Sequence, residues 1–242
     1  AGSLVGNLVS FNGSTATDGA AIYNTGEATL NQATFRGGQA ADQAGAIYNA
    51  DGTLVVTNST FDGNTAVYGG AIVNYQGDAT ITASSFANNE ASGGAGAIDN
   101  YGALNLTDVV FNSNKTNGFG GAIYNSMSSA ANPYVITLSG VEFLANVASK
   151  GGAIYNAANS IVVGSDGAVK FGGNVAAEGA AIYNVGAIDA SSAWSFEGNS
   201  ATGSGGALYN AAGSAAFGSV AFISNSAENG AAVYNASTFK AT

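Results

Sequence analysis

The sequence predicts an all-β solenoid, in which the chain winds through about nine coils of about 25 residues each. Three observations lead to this prediction. The tetrad Ala-Ile-Tyr-Asn, or a close variant, recurs along the whole chain; a phenylalanine precedes the asparagine of each tetrad at a nearly constant spacing; and strand-like sequence lies between them. A fixed period of this size is typical of stacked repeats, because a single repeat cannot bury its own apolar face.

The asparagines that close the tetrads define the period. Most successive pairs are about 25 residues apart, and the steps from Asn125 to Asn156 and from Asn156 to Asn184 are longer. We predict that they lie at corners of the coils, where stacked amides hydrogen-bond along the axis, because an unpaired buried amide costs about 1–3 kcal/mol. These residues are Asn24, Asn49, Asn74, Asn100, Asn125, Asn156, Asn184, Asn210 and Asn235.

Each tetrad is predicted to be a short strand. Alternation along a strand places Ile22 on the inner face and Tyr23 on the outer face. The Ile position is always aliphatic, as expected for a core column. We expect the alanine before it, such as Ala21, to face outward beside the tyrosine. The equivalents of Ile22 are Ile47, Ile72, Ile98, Ile123, Ile154, Ile182, Leu208 and Val233.

The phenylalanines are predicted to form an offset stack inside the solenoid. They are Phe11, Phe35, Phe61, Phe86, Phe111, Phe143, Phe171, Phe196 and Phe222. Most continue as F-x-x-N, ending at Asn64, Asn89, Asn114, Asn146, Asn174, Asn199 and Asn225. The segment before each phenylalanine, such as LVVTNSTF at 54–61, alternates apolar and small polar residues. We therefore predict three short strands in a coil, paired in parallel with the next coil.

The chain is predicted to be one β-helix domain over residues 1–242. The longest step, from Asn125 to Asn156, contains the only Met and the only Pro, which predicts a loop insertion at 126–133. The next step, from Asn156 to Asn184, is shorter than this but still exceeds the usual period, which predicts a smaller extension at 160–170.

Composition narrows the possible functions. Charged residues make up 8% of the chain, and the net charge is −10, which argues against nucleic acid or an anionic membrane as partner. No apolar run is long enough for a transmembrane helix. The absence of Cys excludes disulfides and thiolate chemistry but leaves the compartment open.

Two motifs carry a family resemblance. G-G-A-[ILV] alternates with F-x-x-N along the whole chain, most plainly at 61–72 and 196–208. This pair resembles the repeat of the chlamydial polymorphic membrane proteins and of related bacterial β-helical surface proteins. The resemblance implies a single-stranded right-handed parallel β-helix, export to the bacterial cell surface and adhesive roles.

Catalytic chemistry is not expected. The chain has no His and one Arg, Arg36, and its aspartates are scattered, so no acid–base pair is evident. Asp99 occupies a tyrosine position, but Val73 and Tyr124 fill that column in the adjacent coils. We predict no catalytic site, no cofactor and no metal site.

Two other functional classes stay open. Parallel β-helices include polysaccharide-binding and polysaccharide-degrading proteins, and a degrading enzyme would need two aspartates to converge in a groove, for example near the 126–133 loop. An ice-binding solenoid would need a threonine array, whereas Thr80 and Thr82 form the only T-x-T in a predicted strand.

The outward tyrosines are the most function-like feature of the sequence. They are Tyr23, Tyr48, Tyr124, Tyr155, Tyr183, Tyr209 and Tyr234. One interpretation is a surface stack that stiffens the sheet. The other is an interface, since a contiguous exposed aromatic stripe is typical of partner surfaces.

The terminal coils suggest either a second interface or a chain cut from a longer β-helix, because neither end of the sequence shows a capping helix and uncapped coils leave backbone groups unpaired. We therefore expect a non-enzymatic, extracellular surface protein, either adhesin-like or a filament or matrix subunit. Its expected partners are other copies of itself, bound end to end or laterally, or a protein or glycan receptor.

Overall fold

The fold is a parallel β-solenoid, as the computed structural model of residues 2–126, 129 and 131–242 shows. Every strand pairs in parallel with the equivalent strand of a neighbouring coil. Phe61, for example, pairs with Phe35 on one side and with Phe86 on the other. The prediction of an all-β stack of about nine coils is therefore confirmed. Within the described residues, no helix is long and apolar enough to cross a membrane.

The tetrads form the first strand of each coil, here called the tetrad strand. In two coils this strand runs on without a break into the next one. The tetrad strands are Ile22–Asn24, Ile47–Ala50, Ile72–Thr82, Ile98–Thr107, Ile123–Asn125, Ile154–Asn156, Ile182–Asn184, Leu208–Asn210 and Val233–Asn235.

The second strand precedes the phenylalanine, and in two coils it continues through that residue. Separate second strands are Ser3–Asn7, Glu27–Asn31, Thr53–Thr57, Val135–Ser139, Ile161–Gly164 and Thr238–Ala241. The two continuous ones are Ala187–Glu197 and Ser214–Ile223.

The phenylalanine lies on a third strand, and a fourth closes the coil. Phenylalanine strands are Ser10–Asn12, Thr34–Arg36, Thr60–Asp62, Ser85–Ala87, Val110–Asn112, Glu142–Leu144 and Val169–Gly172. Fourth strands are Thr15–Asp18, Gln39–Gln43, Thr65–Ala66, Glu90–Ala91, Lys115–Thr116, Val175–Glu178 and Ser200–Ser204.

The coil therefore has up to four strands, one more than predicted. Residues with positive φ divide the coil. In the coil that begins at Ile22, Gln32 (φ 52°) follows the second strand and Gly37 (φ 61°) follows the phenylalanine strand. Left-handed backbone turns the chain sharply, and residues other than glycine adopt it at some conformational cost. The alternating pattern before each phenylalanine did not reveal this corner, because Gln, Asn, Ala and Asp occupy it in different coils.

The core runs along the axis of the solenoid. Successive phenylalanine rings from Phe11 to Phe222 stack with centroids 4.5–5.1 Å apart. The aliphatic tetrad column belongs to the same cluster. Trp194 adds to it, 5.4 Å from Phe171 and 5.5 Å from Phe217.

The alanines before the aliphatic column face inward, so the prediction of outward alanines is wrong. Ala71, Ala97 and Ala122 are fully buried and lie in the core cluster. The tetrad strand begins only at the aliphatic residue, and the alanine lies on the bend before it. Strict two-residue alternation does not extend across this bend, and a small side chain fits against the turning backbone.

The tetrad asparagines form one hydrogen-bonded column along the axis. Each Nδ2 donates to the Oδ1 of the asparagine in the next coil, over 2.7–3.0 Å, from Asn24 through to Asn235. Most of these amides also donate to a backbone carbonyl, as Asn49 does to Gly52. The column thus satisfies side chains that are almost all fully buried.

The F-x-x-N asparagines form a second column with the same direction. From Asn64 to Asn225, each Nδ2 donates to the next Oδ1 over 2.9–3.0 Å. The Oδ1 that accepts this bond also accepts one from the backbone N–H of the asparagine in the preceding coil. For example, Asn89 Oδ1 accepts a hydrogen bond from the Asn64 N–H at 3.0 Å. Each Nδ2 also donates to a phenylalanine carbonyl, as Asn64 does to Phe35 at 3.1 Å.

The two predicted departures from the regular coil differ in kind. In the 126–133 loop, Met127, Ser128 and Ala130 lie outside the described residues, while Ser129 and Asn132 form an antiparallel bridge. Within 160–170, Ile161–Gly164 is a regular strand paired on both sides, so the extra residues lie in the connections around it.

Candidate functional site: the tyrosine ladder

The tyrosines of the tetrads stack on the outside of the solenoid and form what we call the tyrosine ladder. Tyr155 and Tyr183 are 5.2 Å apart, Tyr183 and Tyr209 are 4.8 Å apart, and Tyr209 and Tyr234 are 4.6 Å apart. Tyr124 joins this group at 5.4 Å from Tyr155. These distances follow from the strand spacing, since identical residues in parallel register must stack.

Stacking covers much of the tyrosine surface. At the first coil Tyr23 is 57% exposed, whereas Tyr48 behind it is only 8% exposed and Tyr183 only 9%. The other members are half-buried. The rings shield each other's faces, so the ladder presents mainly ring edges and hydroxyls to a partner.

Several hydroxyls of the ladder stay protonated over the physiological range. Burial, assisted by Tyr23 and nearby carboxylates, raises the pKa of Tyr48 to about 12. Burial is also the main cause of the raised pKa of Tyr124 and Tyr155. These members are therefore neutral hydrogen-bonding groups on apolar rings, and the Nζ of Lys150 lies 4.7 Å from the centroid of Tyr183.

Val73 and Asp99 interrupt the ladder, as the sequence indicates, but other aromatic residues surround the interruption. Tyr75 lies 6.3 Å from Tyr48 and 6.0 Å from Tyr101. Phe119 approaches from the opposite side, 4.9 Å from Tyr155. Sequence reasoning missed these residues because they lie outside the repeated columns.

Asp99 is completely buried at the interruption. Its Oδ1 accepts a hydrogen bond from the Ala95 amide at 2.8 Å, while Oδ2 has no hydrogen-bond partner among the described residues. Burial raises the pKa of Asp99 to about 7, although the Ala95 and Gly69 amides oppose the shift. Such a carboxyl group is unusual outside functional sites.

A pocket of about 230 Å³ opens at the surface above this carboxyl group. Four aromatic side chains and a Gly-Gly segment line it: Tyr68, Gly93, Gly94, Tyr101, Phe119 and Tyr124. A Cβ placed on Gly94 would collide with Asp99 Oδ2, so the unpartnered oxygen lies directly against the glycine that lines the pocket.

Asp99 makes the stability of the protein depend on pH. The native state keeps a proton that the unfolded chain loses above about pH 4, so the free energy of unfolding falls as the pH rises from about 4 to about 7. At about 1.4 kcal/mol per pKa unit, the full penalty is about 4 kcal/mol. If asparagine replaced Asp99, its buried amide without a full set of hydrogen bonds would still cost about 1–3 kcal/mol.

We therefore expect Asp99→Asn to raise the free energy of unfolding by about 2 kcal/mol at pH 8 and to leave it unchanged or lower at pH 4. Urea unfolding at a series of pH values measures this difference. Asp78→Asn, at an exposed carboxylate in the preceding coil, is the matched control and should change the free energy of unfolding by no more than about 0.5 kcal/mol. Parallel curves for Asp99→Asn and the wild type would contradict the assignment.

A hydrolytic enzyme would need a bound metal ion or carboxylates that converge in a groove. The described residues contain no group of three His, Cys, Asp or Glu side chains placed to hold a metal ion. The groove of about 510 Å³ beside the 126–133 loop runs past Pro133, Ser160 and Ser214, and no carboxylate is among its lining residues.

The fold and the tyrosine ladder show what class of protein this is. It is a parallel β-solenoid that displays stacked aromatic residues from identical positions of successive coils. Within this class, residues 58–75, 108–126 and 195–211 match the Chlamydia polymorphic membrane protein (Chlamydia_PMP) repeat. The resemblance predicted from the G-G-A-[ILV] and F-x-x-N motifs is thereby confirmed. No curated protein and no solved structure matched the chain. The repeat and the solenoid fold fit a surface repeat protein.

Proposed function

We propose that this chain is a non-enzymatic, extracellular protein of a bacterial cell surface, which binds its partner through the tyrosine ladder. The observation that carries the proposal is the continuous run of outward rings from Tyr124 to Tyr234, spaced 4.6–5.4 Å apart. Aromatic residues with a hydroxyl at the edge suit interfaces, because they combine a large apolar area with a hydrogen-bonding group.

Two forms of this function are in line with a repetitive face. In one, the protein is adhesin-like and the ladder binds a protein or glycan receptor. In the other, ladders of neighbouring copies pack laterally, and the protein is a filament or matrix subunit. The end-to-end contact expected from the sequence remains a prediction.

The ladder is tested by replacing Tyr155, Tyr209 and Tyr234 together with threonine, which retains a hydroxyl and a β-branched side chain for the strand. We expect cell or glycan binding, or ordered assembly, to fall at least about tenfold, because several adjacent rings would be lost from one interface. Surface-binding assays measure the first outcome and negative-stain microscopy the second.

The control variant carries Thr29→Ala and Thr80→Ala, at exposed positions of the second strand rather than the ladder. It should bind and assemble like the wild type. Saturable binding by monomers favours the adhesin-like form, and ordered fibres from pure protein favour the subunit form. If the ladder variant, folded by circular dichroism, kept wild-type binding and assembly, the proposal would fail.

A further inference from the structure

The interruption of the ladder has features that the remainder of the ladder lacks. It contains a shorter side chain at Asp99, and the missing ring leaves a pocket where a continuous ladder would have none. Phe119 and Tyr68, both outside the repeat columns, are 41% and 43% exposed and stand at its rim. Tyr101 and Tyr124 complete the aromatic wall.

The chemistry of the pocket is that of a site for an organic cation. The faces and edges of four aromatic side chains surround a volume of about 230 Å³, large enough for a small ligand. Aromatic rings attract ammonium groups through the negative potential of their faces. The lining contains no Lys or Arg, so no cationic side chain forms part of the pocket wall.

Asp99 supplies a charge that no described group neutralises. The side chain is fully buried, and its Oδ2 has no hydrogen-bond partner in the described part of the chain. A side chain on Gly94 would collide with this oxygen, so the oxygen lies directly against the Gly94 backbone that lines the pocket, and the Gly69 amide also lies near the carboxyl group. A buried carboxylate without a counter-ion is costly, and a cation bound beside it would relieve that cost.

We propose that the pocket above Asp99 binds a small organic ammonium ion, such as a quaternary ammonium group, with the aromatic rings around the cation and the Asp99 carboxylate as its counter-charge. The ammonium group would belong either to a free small molecule or to a lipid headgroup. Both present the same chemistry to the pocket.

The proposal predicts that a cation binds more tightly as Asp99 ionises. The titratable side chains that face Asp99 are the tyrosines Tyr68, Tyr101 and Tyr124. Burial raises the pKa of Tyr101 and Tyr124 further above the ordinary range, so they stay neutral near pH 7. The affinity for the cation should therefore increase from pH 5 to pH 8, because the Asp99 carboxyl group ionises over this range.

The test uses choline as the probe and 3,3-dimethyl-1-butanol, its uncharged isostere, as the ligand control, with binding followed by saturation-transfer NMR at pH 8. We expect choline to bind saturably and the isostere to bind at least about tenfold more weakly, because only the cation gains from the rings and the carboxylate. Asp99→Asn should weaken choline binding at least about tenfold, and Phe119→Ala about threefold or more.

Ile223→Ala removes an exposed apolar side chain outside both the ladder and the pocket and should leave choline binding unchanged. Flotation with phosphatidylcholine vesicles, compared with phosphatidylglycerol vesicles, separates the two sources: choline-headgroup binding identifies a lipid, and choline binding without vesicle binding identifies a free ammonium compound. Equal binding of choline and its isostere, undiminished binding by folded Asp99→Asn, or no saturable choline binding would overturn the proposal.

Discussion

Replacing Asn114 with alanine is expected to lower the free energy of unfolding by about 3–6 kcal/mol, because it leaves several buried polar groups without partners. Asn114 is fully buried and its Oδ1 accepts two hydrogen bonds from Asn89, one from the backbone amide at 3.1 Å and one from Nδ2 at 2.9 Å. Its own Nδ2 donates to the Phe86 carbonyl and to Asn146 Oδ1, both at 3.0 Å.

Equilibrium unfolding in guanidinium chloride measures the loss for Asn114→Ala. The control is Asn105→Ala, an exposed asparagine on a second strand, which should change stability by no more than about 0.5 kcal/mol. A loss of that small size for Asn114→Ala as well would mean that the amide column contributes little to holding the coils together.

Replacing Phe111 with alanine is the other large expected change, a loss of about 3–5 kcal/mol. The ring is fully buried between Phe86, 4.9 Å away, and Phe143, 5.1 Å away. Its removal opens a cavity and breaks two ring contacts at once, each worth about 0.5–1.5 kcal/mol beyond the buried area. Coils above and below are held in register by their backbones, so they cannot close the gap easily.

The same unfolding experiment compares Phe111→Ala with Phe119→Ala. Phe119 is 41% exposed and lies outside the core cluster, so we expect its loss to destabilise by about 1 kcal/mol or less. Similar losses for the two variants would contradict an axial phenylalanine core.

The sequence was sufficient to predict the columns. Residues that recur every coil must stack in a parallel solenoid, so the positions of Phe111 and Asn114 relative to Phe86 and Asn89 followed from spacing alone. The orientation of Ala97 did not follow, because alternation holds only inside a strand and this residue lies on a bend. The number of strands was underestimated for a similar reason, since left-handed corners such as Gln32 carry no fixed residue type.

The candidate site was predictable only in part. The tyrosine column and its interruption at Asp99 are visible in the sequence. Tyr101 shares its position with Tyr75 of the preceding coil, but Ala50 and Ser126 occupy that position in the coils on either side, and Phe119 pairs with Lys150. The regular columns therefore give no indication that the rings of Tyr101 and Phe119 gather there. That Asp99 Oδ2 has no hydrogen-bond partner in the described part of the chain depends on the path of the backbone at Gly94, which the residue pattern does not determine.

The hydrogen bonds of both asparagine columns point in the same direction along the axis, so every coil offers the same donors and acceptors to its neighbours. Between the first and last members of each column, every amide accepts a hydrogen bond from the coil before it and donates one to the coil after it, as Asn49 does between Asn24 and Asn74. Duplicating or deleting one whole repeat in the gene would rejoin the same donors and acceptors without reversing any of them. A molecule built in this way can change its length by unit steps during evolution while each junction keeps the same chemistry.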